Sequence, residues 1–107
     1  MRRKKVDPDL LDPAISAAQL TTEKRGAYGD SFGKVSRILE ELYPDGIPVE
    51  AYPDALAIVR VLDKLCRLAT AKGHADPMHE SPWADVLGYS LLSVARREND
   101  AREADQR

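Results

Sequence analysis

Four charged residues interrupt an apolar stretch in the middle of the chain. Arg60, Asp63, Lys64 and Arg67 are separated mostly by three or four residues, which places them on one face of a helix. A lysine ammonium and an arginine fork bind phosphate oxygens, and an aspartate can orient them or hold a metal ion. The pattern indicates either a phosphate site or a solvent-exposed face whose ion pairs contribute about 0.3 kcal/mol each.

A second polar line follows the last apolar segment, where Asp85, Tyr89 and Arg96 are spaced one or two helical turns apart. Electrostatics at a helix start would account for Asp85 without a ligand. Tyr89 is equally consistent with half-buried packing that leaves its hydroxyl in water. If this line faces the first charged group, the two helices form one polar pocket.

Two shorter motifs are less specific. His74 and His79 flank Asp76 in a loop, which raises a metal site, but they lack the fixed helical spacing of zinc motifs. The segment Arg25–Gly33, RGAYGDSFG, has three glycines ahead of a helical pattern. It is consistent with a helix cap and a tight turn, or with an anion site formed by the free N–H groups of the following helix.

Composition limits the class of protein. The 107 residues are 43% hydrophobic and 32% charged, with a net charge of −2, which is typical of a soluble helical domain and argues against a nucleic-acid partner. The single Cys66 leaves no intrachain disulfide and is expected to fill space in the core. No run of about 18 apolar residues predicts a membrane span. We expect a cytoplasmic protein without a membrane partner.

Prolines and glycines divide the chain into the helices that must position these groups. Asp-Pro and Ser-Pro pairs predict helix starts near Pro13 and Pro82. A turn-rich link is expected over Thr21–Asp30, followed by a second helix that ends before Pro44. The strongest apolar stripe runs from Asp54 to about Lys72, so this helix is expected to form the core.

The absence of a strand pattern completes the fold prediction. We predict an all-α bundle of three to four helices that can dimerise, because a small bundle with several apolar faces often does. Residues 1–12 are expected to form a flexible basic N-terminus and residues 13–97 the helical domain. Residues 98–107 are expected to be a charged tail or a helix extension.

Three segments taken together resemble a family of small phage and prophage proteins of unassigned function. They are RGAYGDSFGKVSRI, DALAIVRVLDKLCRLA, and HADP with SPWADVLGYSLL. The shared pattern is Arg, then Tyr-Gly-Asp and an aromatic residue, then Lys-x-x-Arg at a helix end, then Asp-x-x-Gly-Tyr. It falls on Arg25, Tyr28, Gly29, Asp30, Phe32, Lys64, Arg67, Asp85, Gly88 and Tyr89.

That family is in turn distantly similar to the MazG-like all-α nucleoside-triphosphate pyrophosphatases, whose helices gather carboxylates around magnesium. The resemblance implies a nucleotide-binding protein and a Mg²⁺-dependent pyrophosphohydrolase activity. The implied phosphate ligands are Lys64 and Arg67, with Arg25 as a further ligand. The implied metal or water carriers are Asp63 and Asp85, and the implied base-stacking residues are Tyr28 and Tyr89. The Glu-x-x-Glu and Glu-x-x-Asp pair of the pyrophosphatases is absent from the second helix and the long helix.

A different class of function fits the same residues. A helical interaction protein that binds or inhibits a host protein needs no chemistry, and its charged residues would tie the bundle together in buried pairs. Charges that converge on a cleft would favour the nucleotide hypothesis, and closed bridges would favour the interaction protein. A homo-oligomer is expected with either. A helix-turn-helix protein is disfavoured, because Asp54–Arg60 and Trp83–Gly88 lack the base-reading side chains of a recognition helix.

Overall fold

The computed structural model of the protein describes residues 3–76 and 78–106, so that Met1, Arg2, Pro77 and Arg107 lie outside the described residues. Within them the chain is all-α, which confirms the predicted fold class. The elements are helices α1 (Pro8–Tyr28), α2 (Ser31–Leu42), α3 (Tyr52–Ala71) and α4 (Pro82–Asp105), with a short 3₁₀ turn at Val49–Ala51. None of these helices is long and apolar enough to cross a membrane.

Helix α1 begins at Pro8, so the predicted start near Pro13 is wrong. The Asp7 carboxylate accepts a hydrogen bond from the Asp9 N–H at 2.9 Å, and Pro8 occupies the first helical position, where its missing N–H costs nothing. Pro13 lies inside the helix, where it removes one backbone hydrogen bond. Residues 8–12, expected to be flexible, are therefore helical.

The predicted link over Thr21–Asp30 is also mostly helix. Helix α1 continues to Tyr28 and ends at Gly29, whose left-handed φ of 60° brings its N–H to the Arg25 carbonyl at 2.9 Å. Asp30 follows with φ 57°, and α2 starts directly after it. The turn between α1 and α2 thus consists of two residues in the left-handed conformation, whereas the predicted link had ten residues.

Helix α3 packs against each of the other three helices, as expected of the core element. Among the described residues, the buried apolar ones are few: Ala27, Val35, Ala55 and Cys66. The α3 stripe is only partly covered, because Leu65 remains 39% exposed. The large aliphatic residues of this chain therefore do not form a closed core among themselves.

Helix α4 starts at the predicted Ser-Pro pair, where the Ser81 hydroxyl accepts a hydrogen bond from the Ala84 N–H at 3.3 Å. It continues to Asp105, so the charged segment is a helix extension over its described part. Gly88 does not mark a close approach of helices within the chain, because no atom lies within 4 Å of where its Cβ would be.

Candidate functional site

Arg67 is held in a closed set of hydrogen bonds. Its side chain is 1% exposed, and its Nε donates to Asp76 Oδ1 at 3.0 Å while Nη2 donates to the other oxygen of the same carboxylate. Its Nη1 donates to Glu80 Oε2 at 2.8 Å and to the Tyr28 hydroxyl at 3.3 Å. Because protein groups already accept these bonds, Arg67 is not free to grip a phosphate. We call these four residues the Arg67 network.

The loop after α3 supplies the carboxylates of the network. Asp76 Oδ2 also accepts the N–H groups of Met78 at 2.9 Å and Glu80 at 3.2 Å, so this one carboxylate folds the loop around the guanidinium. Burial lowers the pKa of Arg67, but its hydrogen bonds to Glu80 and Asp76 outweigh burial and leave the pKa raised. Burial raises the pKa of Asp76, and its bond to Arg67 and those to backbone N–H groups leave it lowered.

The lowered pKa of Asp76 makes a testable contribution to stability. A carboxyl group whose pKa is lower in the folded than in the unfolded protein stabilises the fold at pH values above its unfolded pKa, about 3.9. It loses that contribution as the pH falls through its folded pKa. We expect the free energy of unfolding to fall on acidification below about pH 4, and to fall less steeply in Asp76→Asn. Urea unfolding over a pH series measures both slopes, and equal slopes would contradict the assignment.

Lys64 forms the second contact between predicted site residues. Its Nζ lies 3.2 Å from Asp85 Oδ2 on α4 and 3.4 Å from the Tyr28 hydroxyl. Burial lowers the pKa of Lys64, and its hydrogen bonds to Asp85 and Tyr28 outweigh burial and leave it raised. Asp85 on α4 thus reaches the charged face of α3, as the sequence predicted, and its partner there is Lys64. Tyr89 does not join them, because its ring lies 5.5 Å from the Arg60 guanidinium carbon.

The predicted Mg²⁺ ligands do not belong to one metal centre. Asp85 faces Lys64, whereas Asp63 lines a cleft shared with α1 and α2. Among residues 3–76 and 78–106, no group of three or more His, Cys, Asp or Glu residues could hold a metal ion, and this includes His74 and His79. Within this described part of the chain, Asp63 and Asp85 thus belong to no cluster of three ligands, and the Mg²⁺ requirement stays a prediction.

A cleft of about 530 Å³ collects the remaining predicted residues where α1 ends and α2 begins. We call it the α1–α2 cleft. Arg25, Tyr28 and Asp63 line it, so three of the predicted site residues meet here. The full lining is Thr21, Lys24, Arg25, Tyr28, Asp30, Ser31, Phe32 and Asp63. Sequence reasoning missed Thr21, Lys24 and Ser31 as ligand groups, although Lys24 directly precedes Arg25.

The start of α2 leaves hydrogen-bond donors open at this cleft. Asp30 is the N-cap residue, but its side chain makes no capping hydrogen bond, and the first turn holds no acidic residue. Within the described residues, the backbone N–H groups of Ser31, Phe32 and Gly33 have no acceptor, and the ladder begins with Lys34 N–H to the Asp30 carbonyl at 3.2 Å. These donors and the helix dipole attract an anion.

Four side chains of the cleft are available to a ligand. Ser31 lines the cleft and is 9% exposed. Lys24 and Arg25 form no ion pair within the described ranges. Phe32 is 93% exposed at the mouth, an unusual place for a phenyl ring without a partner. A serine hydroxyl, two cations and an exposed ring can together bind a phosphorylated, planar molecule.

No protein-family model, curated protein or solved structure matches the chain, so the resemblance to phage proteins and to MazG-like pyrophosphatases stays a prediction.

Proposed function

We propose that the protein binds a nucleotide, or another phosphorylated small molecule, in the α1–α2 cleft. The observation that carries the proposal is the start of α2, whose open N–H groups lie at a cleft lined by Ser31, Lys24 and Arg25. A phosphate oxygen accepts from such donors, and the helix dipole favours its negative charge.

The donors, the cations and the aromatic ring of the cleft have a place in this binding mode, whereas the Asp30 and Asp63 carboxylates of the same lining repel a phosphate. Phosphate oxygens accept from the α2 N–H groups and the Ser31 hydroxyl, while Lys24 and Arg25 balance their charge. Phe32 offers a π-face to a base at the cleft mouth. The volume of about 530 Å³ lies within the range of ligand pockets, about 300–1,000 Å³.

Lys64 and Arg67 support the cleft from behind rather than lining it. Both donate to the Tyr28 hydroxyl, and Tyr28 lines the cleft. The guanidinium carbon of Arg67 also lies 4.9 Å from the Tyr28 ring centroid. These two cations therefore hold the Tyr28 side chain in its position on the cleft wall. Their role in the proposal is positioning, and Arg25 takes the ligand contact.

The test is a thermal-shift and calorimetry panel of nucleoside mono-, di- and triphosphates and cyclic nucleotides, each with and without magnesium. We expect at least one class to stabilise the protein. Arg25→Ala and Ser31→Ala should each weaken its binding about tenfold, the equivalent of about 1.4 kcal/mol for one lost contact. The matched control is Arg37→Ala, which removes the same charge from an exposed position on α2 outside the cleft.

Two results would overturn this assignment. One is a panel without any shift, and the other is an Arg37→Ala effect as large as that of Arg25→Ala, which would show general charge attraction. Phe32→Ala separates nucleotides from phosphate alone. It should weaken nucleotide binding by about 1–3 kcal/mol through lost stacking and leave inorganic phosphate unaffected.

The second candidate function is a helical interaction protein that binds a host protein. The observation that favours it is the closed Arg67 network together with the Lys64–Asp85 bridge, because both resemble ties within a scaffold. This hypothesis predicts that no ligand of the panel stabilises the protein or gives a binding signal. It also predicts that Arg25→Ala and Arg37→Ala behave alike.

A further inference from the structure

The chain exposes far more surface than a compact monomer of its size. Its accessible surface is 8,953 Å², whereas folded monomers of 11.9 kDa expose about 6,000 Å². Its radius of gyration is 19.0 Å, against about 13 Å for a compact domain of this length. About 3,000 Å² per chain, polar and apolar surface together, is therefore in excess of what a compact monomer exposes.

Part of the excess is an apolar stripe on the outer side of α4. It consists of Trp83, Leu87, Leu91 and Val94, which are 57–64% exposed and share one helix face by their spacing of three and four residues. Helix α4 contacts α3 through another side, the side of Asp85 and of Tyr89 beside Arg60. We call these four residues the α4 stripe.

The other part is α1. Every residue from Pro8 to Gly26 is exposed, including Leu10, Leu11 and Ile15 at 44–65%. Helix α1 touches α3 and, within the described residues, has no extended contact with α2 or α4. Isolated helices are marginally stable in water, and most helical stability in proteins comes from packing an apolar face. A lasting α1 helix therefore needs cover that this chain does not supply.

We propose that a second copy of this chain covers both α1 and the α4 stripe in a permanent dimer. If each copy buries half of its excess of about 3,000 Å², the interface totals about 3,000 Å², within the range of obligate homodimers rather than of transient complexes. A helix that lacks its own cover needs a partner present whenever the chain is made, and another copy meets that condition. Two-fold symmetry then buries the same faces on both copies.

The polar end of α4 limits the interface. Beyond Val94 the helix carries charged pairs along its own surface, Arg96 with Asp100 and Arg102 with Glu98, each at 3.8 Å. No large apolar residue follows in the described part of α4. The contact is thus confined to α1 and the first half of α4. This inference does not rest on the nucleotide proposal, because its apolar residues, Leu10, Leu11, Ile15 and the α4 stripe, do not line the α1–α2 cleft.

Sedimentation velocity and small-angle X-ray scattering of the full chain test the dimer. We expect a mass of twice 11.9 kDa across a wide concentration range. Leu91→Glu should halve that mass or make dimerisation strongly concentration-dependent, because it places a charge in the α4 stripe. The matched control is Leu92→Glu, the same change at a residue 68% exposed and about 100° around the helix, which should remain dimeric.

The proposal fails if the unmodified chain has the mass of one copy at every concentration, or if Leu92→Glu dissociates as readily as Leu91→Glu. Should Leu91→Glu not fold, the melting temperature of the unmodified chain decides. A melting temperature that rises with protein concentration supports a dimer whose folding and association are coupled, and a constant one overturns it.

Discussion

Replacing Arg67 with alanine is expected to lower the free energy of unfolding by about 3 kcal/mol, the lower end of the range for breaking a buried ion pair. The Asp76 carboxylate is 5% exposed, so removing the guanidinium leaves a buried charge without its main partner. The lower end applies because two backbone N–H groups still donate to Asp76, and because Glu80, at 54% exposed, can turn to water.

The matched control is Arg97→Ala, the same truncation in an exposed pair. Arg97 and its partner Asp54 are 71% and 41% exposed, so the loss should be about 0–1 kcal/mol. Urea unfolding followed by circular dichroism measures both variants under one set of conditions. Equal losses would show that the Arg67 network is no stronger than a surface pair.

This experiment also separates the two possible roles of Arg67. If Arg67 were a phosphate ligand, its alanine variant would keep its stability and lose nucleotide binding. The Arg67 network predicts the opposite result. The free energy of unfolding of the alanine variant falls, and ligand binding at the α1–α2 cleft weakens only because Tyr28 loses its hydrogen bond to Arg67. Binding measured well below the melting temperature of the variant therefore tells a ligand from a positioning residue.

The helices were predictable where one periodic signal dominated. The apolar stripe of α3 and the Ser81-Pro82 start of α4 each rest on local spacing, and the structure has both. The start of α1 was ambiguous, because Asp7-Pro8 and Asp12-Pro13 carry the same signal. Local sequence cannot rank two equal caps, and the helix tolerates Pro13 in its interior.

The candidate site was predictable only as far as helix periodicity reaches. Helical spacing places Lys64 on the polar face of α3 and Asp85 on the polar face of α4, and the two side chains form an ion pair. The carboxylate partners of Arg67, Asp76 and Glu80, lie in a loop, and a loop has no hydrophobic periodicity from which its path could be predicted. Asp76 was therefore considered for a metal and not for Arg67. The open donors of α2 depend on the left-handed φ of Asp30, which the sequence GD does not specify.

Gly29 connects α1 to α2 at a point where two separate effects oppose any side chain. Its φ of 60° is left-handed, which costs a residue with a Cβ about 1–2 kcal/mol. A Cβ would also lie 2.2 Å from the Thr70 Oγ1 on α3, so Thr70 must shift. Overpacking of this kind costs about 1–3 kcal/mol. We expect Gly29→Ala to lower the free energy of unfolding by about 2–5 kcal/mol, the sum of the two costs.

Gly73→Ala isolates the backbone part of that loss. Gly73 has a φ of 85° and no atom within 4 Å of its Cβ position, so only the conformational cost applies. A double-mutant cycle isolates the steric part: in a Thr70→Ala background, Gly29→Ala should cost no more than Gly73→Ala does. A coupling of about 1–3 kcal/mol between positions 29 and 70 is expected. If the losses in the free energy of unfolding are additive, Gly29 does not lie against Thr70 of α3. The arrangement of the helices around the α1–α2 cleft, which depends on that contact, would then be wrong.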